Sequence, residues 1–287
     1  VLCRASLLQP GRQSPAGGGR LSMRTLAEYL RLYFIIETQY IKARMQYRAD
    51  FIISSIGMFF SSLATLGIFW VILNSVPTLA GWTLMEMVFI YAFYMIAISP
   101  MQILFDHAWQ IRFHIQQGTF LKYYFRPLNM MFYYMSEMFD LKGLTQLIVG
   151  IALLIYASAQ LSLDWTLSRL ALLLLTLFSA ALVQISIVVA ASCAAFWVID
   201  SYPVLGLAWK LREFSPYPMS IFDGAFRVAF TYVIPIGFVA FYPSQLFLRP
   251  DEVAPLVYFS PIIGIGLFAI TYWIWTRGVN SYTGTGS

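Results

Sequence analysis

The 287 residues are 60% hydrophobic and only 11% charged, with a formal net charge of +5. A soluble domain carries about 25% charged residues, so a water-soluble globule is excluded for want of polar surface, and lipid is the solvent that fits. The positive balance then reads as cations placed beside a bilayer rather than as a nucleic-acid patch, and no nucleic-acid partner is expected.

Residues 1–22, VLCRASLLQPGRQSPAGGGRLS, are rich in Gly, Pro and Arg and hold no apolar run long enough for a secretory signal. They are expected to be a disordered extension or a mis-assigned start ahead of Met23, leaving 23–287 as a single membrane domain. Residues 24–48 carry charges throughout. Leu26, Leu30, Tyr33, Phe34, Ile41 and Met45 keep roughly helical spacing, with Arg24, Glu28, Arg31, Thr38 and Lys42 largely opposite. This predicts an amphipathic entry helix lying in the membrane interface; the alternative is an extension of the first span.

A bilayer core of about 30 Å needs about 20 helical residues. Uncharged or nearly uncharged runs of that kind occupy 51–73, 84–105, 143–161, 170–199 and 254–276. A sixth, 229–242, is apolar but short and holds Pro235. Upstream of it, a span begun at Tyr217 would bury Arg227 about 15 Å deep by helical rise, at high cost. An interfacial helix through Arg227 followed by a Pro-interrupted segment is therefore expected, with an ordinary Pro-kinked helix as the alternative. The fold class is an all-α polytopic membrane protein with six transmembrane segments.

Orientation follows the cations. With both termini inside, the cytoplasmic side receives Arg24, Arg31, Lys42, Arg44, Arg48, Arg112, Lys122, Arg126, Lys210, Arg212 and Arg277, whereas the outer side receives Arg169 and Arg249.

Catalytic patterns are missing. There is no Gly-x-x-x-x-Gly-Lys-Ser/Thr phosphate loop, no His-Glu-x-x-His and no Gly-x-Ser-x-Gly. Cys3 and Cys193 lie in unlike regions and suggest neither a disulfide framework nor a metal site. His107 and His114, seven apart on one helical face, have few acids near them. Glu137, Asp140 and Lys142 form a polar cluster before the third span. At i, i+3 spacing the two acids share a helix face while Lys142 points elsewhere. They fit a proton or cation relay, or a solvated cluster at headgroup level. Ser179, Ala180, Ala190, Ala191, Ala194 and Ala195 would let another helix approach the fourth span closely, within the bundle or from another subunit.

Between the second and third spans lies DHAWQIRFHIQQGTFLKYYFRPLN, residues 106–129, which carries both histidines, three cations and many aromatics. Pro127 would end its helix before the third span.

The order of these elements resembles the permease subunits of type-2 ABC exporters. YVIPIGFVAFYPSQLFL (232–248) is similar to the aromatic, two-proline passage late in one bacterial branch of that family, and RGVNSYTGTGS (277–287) to the tail that ends it. The resemblance implies a multi-pass permease of the bacterial cytoplasmic (inner) membrane, working as a homo- or heterodimer with separate cytosolic ATPases that bind ATP and Mg²⁺. The chain itself would hold no cofactor and catalyse no reaction. It also implies a coupling helix between spans two and three that seats in the ATPase, with Trp109, Arg112, Phe113, Gln117 and Phe120 as the contact. Pro235 and Pro243 become candidates for a broken-helix gate. The sequence departs from better-known members in a very short outer loop after the fifth segment, which argues against large external gate helices. The rival readings are an ion-coupled secondary transporter or channel, which would need intramembrane charges, and a membrane-embedded enzyme.

Overall fold

The computed structural model describes residues 48–125, 128–140 and 142–282, together with Ile35 and Thr38. The extension 1–22, nearly all of the entry helix 24–48, Arg126 and Pro127 lie outside the described residues. In chain order the α-helices described are α1 (Arg48–Ser75), α2 (Leu84–Leu104), α3 (Ile111–Gln116), α4 (Met130–Met135), α5 (Lys142–Gln160), α6 (Leu167–Cys193), α7 (Tyr202–Arg212), α8 (Gly224–Val228), α9 (Phe241–Leu248) and α10 (Ser260–Ser281). Short 3₁₀ and π turns link them, and no strand is described beyond one bridge, Leu79–Trp82.

Five helices are long and apolar enough to cross a membrane: Ile52–Ser75, Leu84–Leu104, Lys142–Gln160, Leu167–Phe196 and Pro255–Ser281. Several of their hydroxyl groups are satisfied without water. The Ser99, Ser186 and Ser192 Oγ atoms donate to the carbonyls four residues back at 2.6, 2.6 and 2.8 Å, as a polar side chain in hydrocarbon must. Thr83 and Thr166 cap the N-termini of α2 and α6.

Small residues set the packing. α2 and α5 run antiparallel, with Gly143 against Ser99 and Ile103 and Gly150 against Met95 and Ile96. α6 and α10 run parallel. Gly264 N donates to Ser179 Oγ at 2.9 Å, Thr271 Oγ1 to the Ser186 carbonyl at 3.3 Å, and Gly278 lies against Phe196. The small residues around Ser179 thus serve contact within the chain.

The bundle has two ends. The tight Leu79–Trp82 hairpin marks one, and the 106–125 segment marks the other. Because α6 and α10 point the same way, the chain between them must travel back from the segment end to the hairpin end. It does so through residues 201–220. Ser201 and Tyr202 line a cavity with Trp109 and Arg112 at the segment end, while Trp82 Nε1 donates to Ser220 Oγ at 3.1 Å at the hairpin end. After Arg212 the helix tightens, with Ser215 N bonded to the Arg212 carbonyl and Tyr217 N to that of Phe214.

This corrects four expectations. Residues 229–242 do not traverse the bundle, because Ser220 before them and Arg249 after them both sit at the hairpin end. Lys210 and Arg212, assigned above to the cytoplasmic side, lie partway along the 201–220 traverse. The connection after that traverse is not short: residues 221–259 stay with the hairpin end. α8 there is only five residues long, capped by Asp223 Oδ1 accepting from Phe226 N at 3.0 Å, so no interfacial helix spans 217–227.

One cation ties the hairpin end together. Arg249 donates from Nε to Glu86 Oε1 at 2.9 Å and from Nη2 to Glu86 Oε2 at 3.0 Å and the Gly81 carbonyl at 2.6 Å. Its guanidinium lies 4.0 Å from the centre of the Trp82 ring. Glu86 also completes a capping box with Thr83. Bidentate pairing, a carbonyl and a ring face together hold α9 on the start of α2.

A Cβ on Gly264 would meet the Ser179 carbonyl oxygen at 2.0 Å, whereas one on Gly266 would meet nothing within 4 Å. Gly264→Ala should cost about 1–3 kcal/mol by forcing α6 and α10 apart, seen as a lower melting temperature of the detergent-purified protein, with Gly266→Ala unchanged.

Candidate functional site

The 106–125 segment is three short turns folded on one another. A 3₁₀ turn, Asp106–Gln110, leads into α3, and a second, Thr119–Tyr123, doubles back beneath it. The reversal happens at Gly118, whose φ of +69° suits a residue without Cβ. Ala108, Ile111, Ile115, Phe120 and Tyr123 point inward and join Met131, Tyr134 and Met135 near α4 and Trp275 and Val279 of α10 in one buried cluster. Tyr134 Oη donates to the His107 carbonyl at 3.3 Å, and Tyr124 Oη to the Val279 carbonyl at 2.5 Å.

Phe120 is the centre of that cluster. Its ring lies 5.3 Å from those of Tyr123 and Phe196, 5.5 Å from Tyr282 and 5.7 Å from Tyr134, and none of its surface is exposed. It therefore parts from the other four residues expected to form a contact. It holds the segment to the bundle and is not available for docking.

Trp109, Arg112, Phe113 and Gln117 stay on the outer side. Phe113 and Gln117 are exposed, and Trp109 and Arg112 are half-buried. The Trp109 and Phe113 rings meet edge to face at 5.7 Å. The Arg112 guanidinium lies 5.8 Å from the Phe113 ring centre and 5.7 Å from that of Tyr202, and Nη2 lies 3.4 Å from Asp200 Oδ1. Gln116 Nε2 donates to the Ile199 carbonyl at 2.8 Å. The segment is thus fastened to residues 199–202, the start of the α7 traverse. Asp200 and Tyr202 were missed from sequence. The lone acid of FWVIDSYP, in the next connection at the same end, was the signal that could have paired with Arg112.

The polar cluster divides in two. Glu137 accepts from Lys122 Nζ at 2.9 Å and from Tyr123 Oη, and lies 3.9 Å from His107 Nε2. Asp140 Oδ1 accepts from Lys142 N at 3.0 Å, and Asp140 Oδ2 lies 3.5 Å from Lys142 Nζ. Residues 136–140 are not helical, so the acids do not share a helix face, and Lys142 turns toward Asp140 rather than away. Glu137 belongs to the 106–125 segment and Asp140 to the start of α5.

The His107 and His114 rings lie 5.4 Å apart, with Tyr134 4.4 Å from His107. Both ring nitrogens of His107 are buried without a hydrogen-bond partner. Burial, helped by His114, holds its pKa down at about 4, and burial lowers that of His114 as well. Burial pushes the Tyr123 and Tyr134 hydroxyls up. The pair is neutral at pH 7. Among the described residues no group of three His, Cys, Asp or Glu could hold a metal ion.

Pro235 and Pro243 lie at the opposite end. Pro235 follows the π turn Ala229–Val233 and marks its break, where Ile236 N bonds to the Ile234 carbonyl at 2.6 Å. Pro243 is buried in the first turn of α9. Thr231 and Tyr242 join the two arms of this re-entrant stretch at 2.6 Å between hydroxyl oxygens.

A family model described as ABC-2 family transporter protein matches residues 24–286. No curated protein and no solved structure matches the chain.

His107 sets an acid limit. Its folded pKa of about 4 lies below the ordinary 6.5, so stability is full above pH 6.5 and is lost as pH falls through about 4. The full loss is roughly 3 kcal/mol. Melting temperature should fall over that window, and His107→Leu should flatten the fall. An equally steep fall in the variant would place the acid sensitivity elsewhere.

Proposed function

Since the chain belongs to the ABC-2 family of transporter proteins, we propose that it is the membrane-spanning permease of an ATP-driven export system. It crosses the bacterial cytoplasmic membrane six times, with the 106–125 segment in the cytoplasm and the hairpin end outside. The five apolar helices and the 201–220 traverse supply the crossings. The cations support this orientation: among the described residues Arg48, Arg112, Lys122, Lys142 and Arg277 lie at the segment end, against Arg169, Arg227 and Arg249 at the other. ATP and Mg²⁺ bind to separate cytosolic ATPase subunits, and a second permease chain completes the pathway.

The observation that carries the reading is the outer side of the 106–125 segment. Its buried side is anchored by Phe120, while Trp109, Arg112 and Phe113 stay reachable at the surface of a rigid support. Aromatic residues and arginine are the favoured anchors of protein interfaces. The ATPase grips this side, and its movement on ATP binding and hydrolysis supplies the difference in contact that a conformational change needs. Movement of the segment reaches the membrane first at Tyr202, the first residue of α7, through Arg112.

An ion-coupled transporter remains the second reading, because Lys210, Arg212 and Glu213 are intramembrane charges of the kind it requires. Co-purification with the neighbouring gene products separates the two. A stoichiometric ATPase with vanadate-sensitive activity is expected. Solute movement by the chain alone in liposomes, driven by an ion gradient without ATP, would overturn the proposal.

Arg112→Glu, or alanines at both Trp109 and Phe113, should weaken ATPase association at least about tenfold with membrane insertion intact. Phe120→Ala should act differently and lower the melting temperature, at a cost of about 3–5 kcal/mol.

A further inference from the structure

The 201–220 traverse changes helix type partway along. Glu213 N, Phe214 N and Ser215 N bond to the carbonyls three residues back, those of Lys210, Leu211 and Arg212, at 3.1, 3.1 and 3.0 Å. The α-helix thus passes into 3₁₀ turns about 15 Å from Tyr202 by helical rise, halfway through a bilayer core of about 30 Å. In 3₁₀ geometry the side chains at i and i+3 eclipse. Lys210 and Glu213 therefore share one side of the break, where both are exposed. Arg212 and Ser215 share another, where Arg212 is half-buried and Ser215 fully buried. Tyr94, halfway along α2, lies within electrostatic reach of Arg212 and Glu213. Phe69 of α1 meets Tyr91 of α2 and Tyr217 beyond the break edge to face, at 5.8 and 5.7 Å, which holds the break against α1 and α2.

The inward side of this break lacks partners. Arg212 Nε and Ser215 Oγ are both buried without a hydrogen bond. None of the ion pairs among the described residues involves Lys210, Arg212 or Glu213. Ser99, Ser186 and Ser192 donate to the carbonyl four residues back, a bond that Ser215, set on tighter turns, does not make. A buried donor left unpaired is costly, and a guanidinium at membrane depth more so. Two such groups on one side of one turn mark a place shaped for a ligand. The ligand is an anion, because both groups donate and the planar guanidinium fork matches a carboxylate or a phosphate.

We propose that this break is a cargo site, in which the Arg212 guanidinium and the Ser215 hydroxyl take the anionic head, a phosphate or a carboxylate, of an amphiphilic molecule carried across the bilayer. A resident phospholipid keeps its head at the edge of the hydrocarbon core, about 15 Å away, so a head reaches Arg212 only in transit. Arg212 supplies the charge and the fork, and Ser215 one more donor. The anion and the guanidinium neutralise each other at the depth where hydrocarbon expels both. The inference rests on the permease reading for the passage of a cargo, and it goes beyond that reading in naming the cargo's chemistry and the residues that hold it.

The test measures binding of radiolabelled dodecyl phosphate by equilibrium dialysis to the full chain in phosphatidylcholine nanodiscs, with empty nanodiscs subtracted and no ATPase present. Saturable binding at one site per chain is expected, with laurate competing and dodecyltrimethylammonium not. Arg212→Gln should weaken binding at least about tenfold, as loss of a charge-assisted hydrogen bond does, and Ser215→Ala about fivefold. Lys210→Gln, on the other side of the break, should bind like the parent. Arg212→Gln should also melt no lower than the parent, since Arg212 has no ion pair to lose, so misfolding does not account for its lost binding. The inference is overturned if the parent binds no dodecyl phosphate, if Arg212→Gln binds like the parent or melts lower, or if Lys210→Gln falls as far. It is overturned too if phosphatidylglycerol in the nanodisc displaces the probe, which would make this a site for a resident lipid head. An ATPase that still co-purifies in any of these cases leaves the permease reading standing.

Discussion

The parallel seam between α6 and α10 is the constraint on which the rest of the fold depends. Gly264 lies so close to Ser179 that no side chain fits between them, and the hydrogen bonds at Ser179 and Ser186 keep one register along the seam. Two neighbouring helices that point the same way cannot be joined by a short loop. The chain must recross the bundle, and the only stretch left for that task is residues 201–220, charges included. The seam thus imposes a charged traverse on a bundle whose five long helices are almost purely apolar.

On either side of that crossing the bundle is closed by a different chemistry. At one end Arg249 gathers Glu86, the Gly81 carbonyl and the Trp82 ring, so one side chain joins the hairpin, α2 and α9. At the other, Phe120 and its ring neighbours make a cluster without ion pairs at its centre. Both are dense, although both ring nitrogens of His107 stay unbonded at the segment end. Gln184, at the middle level, is likewise fully buried with neither side-chain polar atom bonded, and Lys210 and Glu213 are exposed there.

How much of this could be read in the sequence follows the same division. The five apolar helices were legible because each is a long run without interior charges, the one signal hydropathy reports well. The 201–220 crossing was not, because Lys210, Arg212 and Glu213 read as a cytoplasmic loop, and the apolar run 229–242 offered itself as a substitute. Only tertiary pairing, Ser220 with Trp82 and Arg249 with Glu86, shows that this run begins and ends on one side. The 106–129 stretch was read as a docking element, and four of the five residues named for the contact, Trp109, Arg112, Phe113 and Gln117, lie on its outer side. Phe120 was misplaced because it lies beyond Gly118, where the left-handed backbone reverses the chain and turns the ring inward. Glu137 and Asp140 were paired on a helix face that does not form.

The traverse that the seam imposes is also the one the 106–125 segment touches. Arg112 reaches Asp200 and Tyr202, and Gln116 holds the Ile199 carbonyl, so the segment is fastened to the foot of the α7 traverse. A displacement of the segment therefore acts on α7 along its axis, where a helix transmits force without bending. On the proposed reading, a small movement at Trp109 and Arg112 is carried along α7 toward the hairpin end, which supplies the difference in contact that coupling to an ATPase demands.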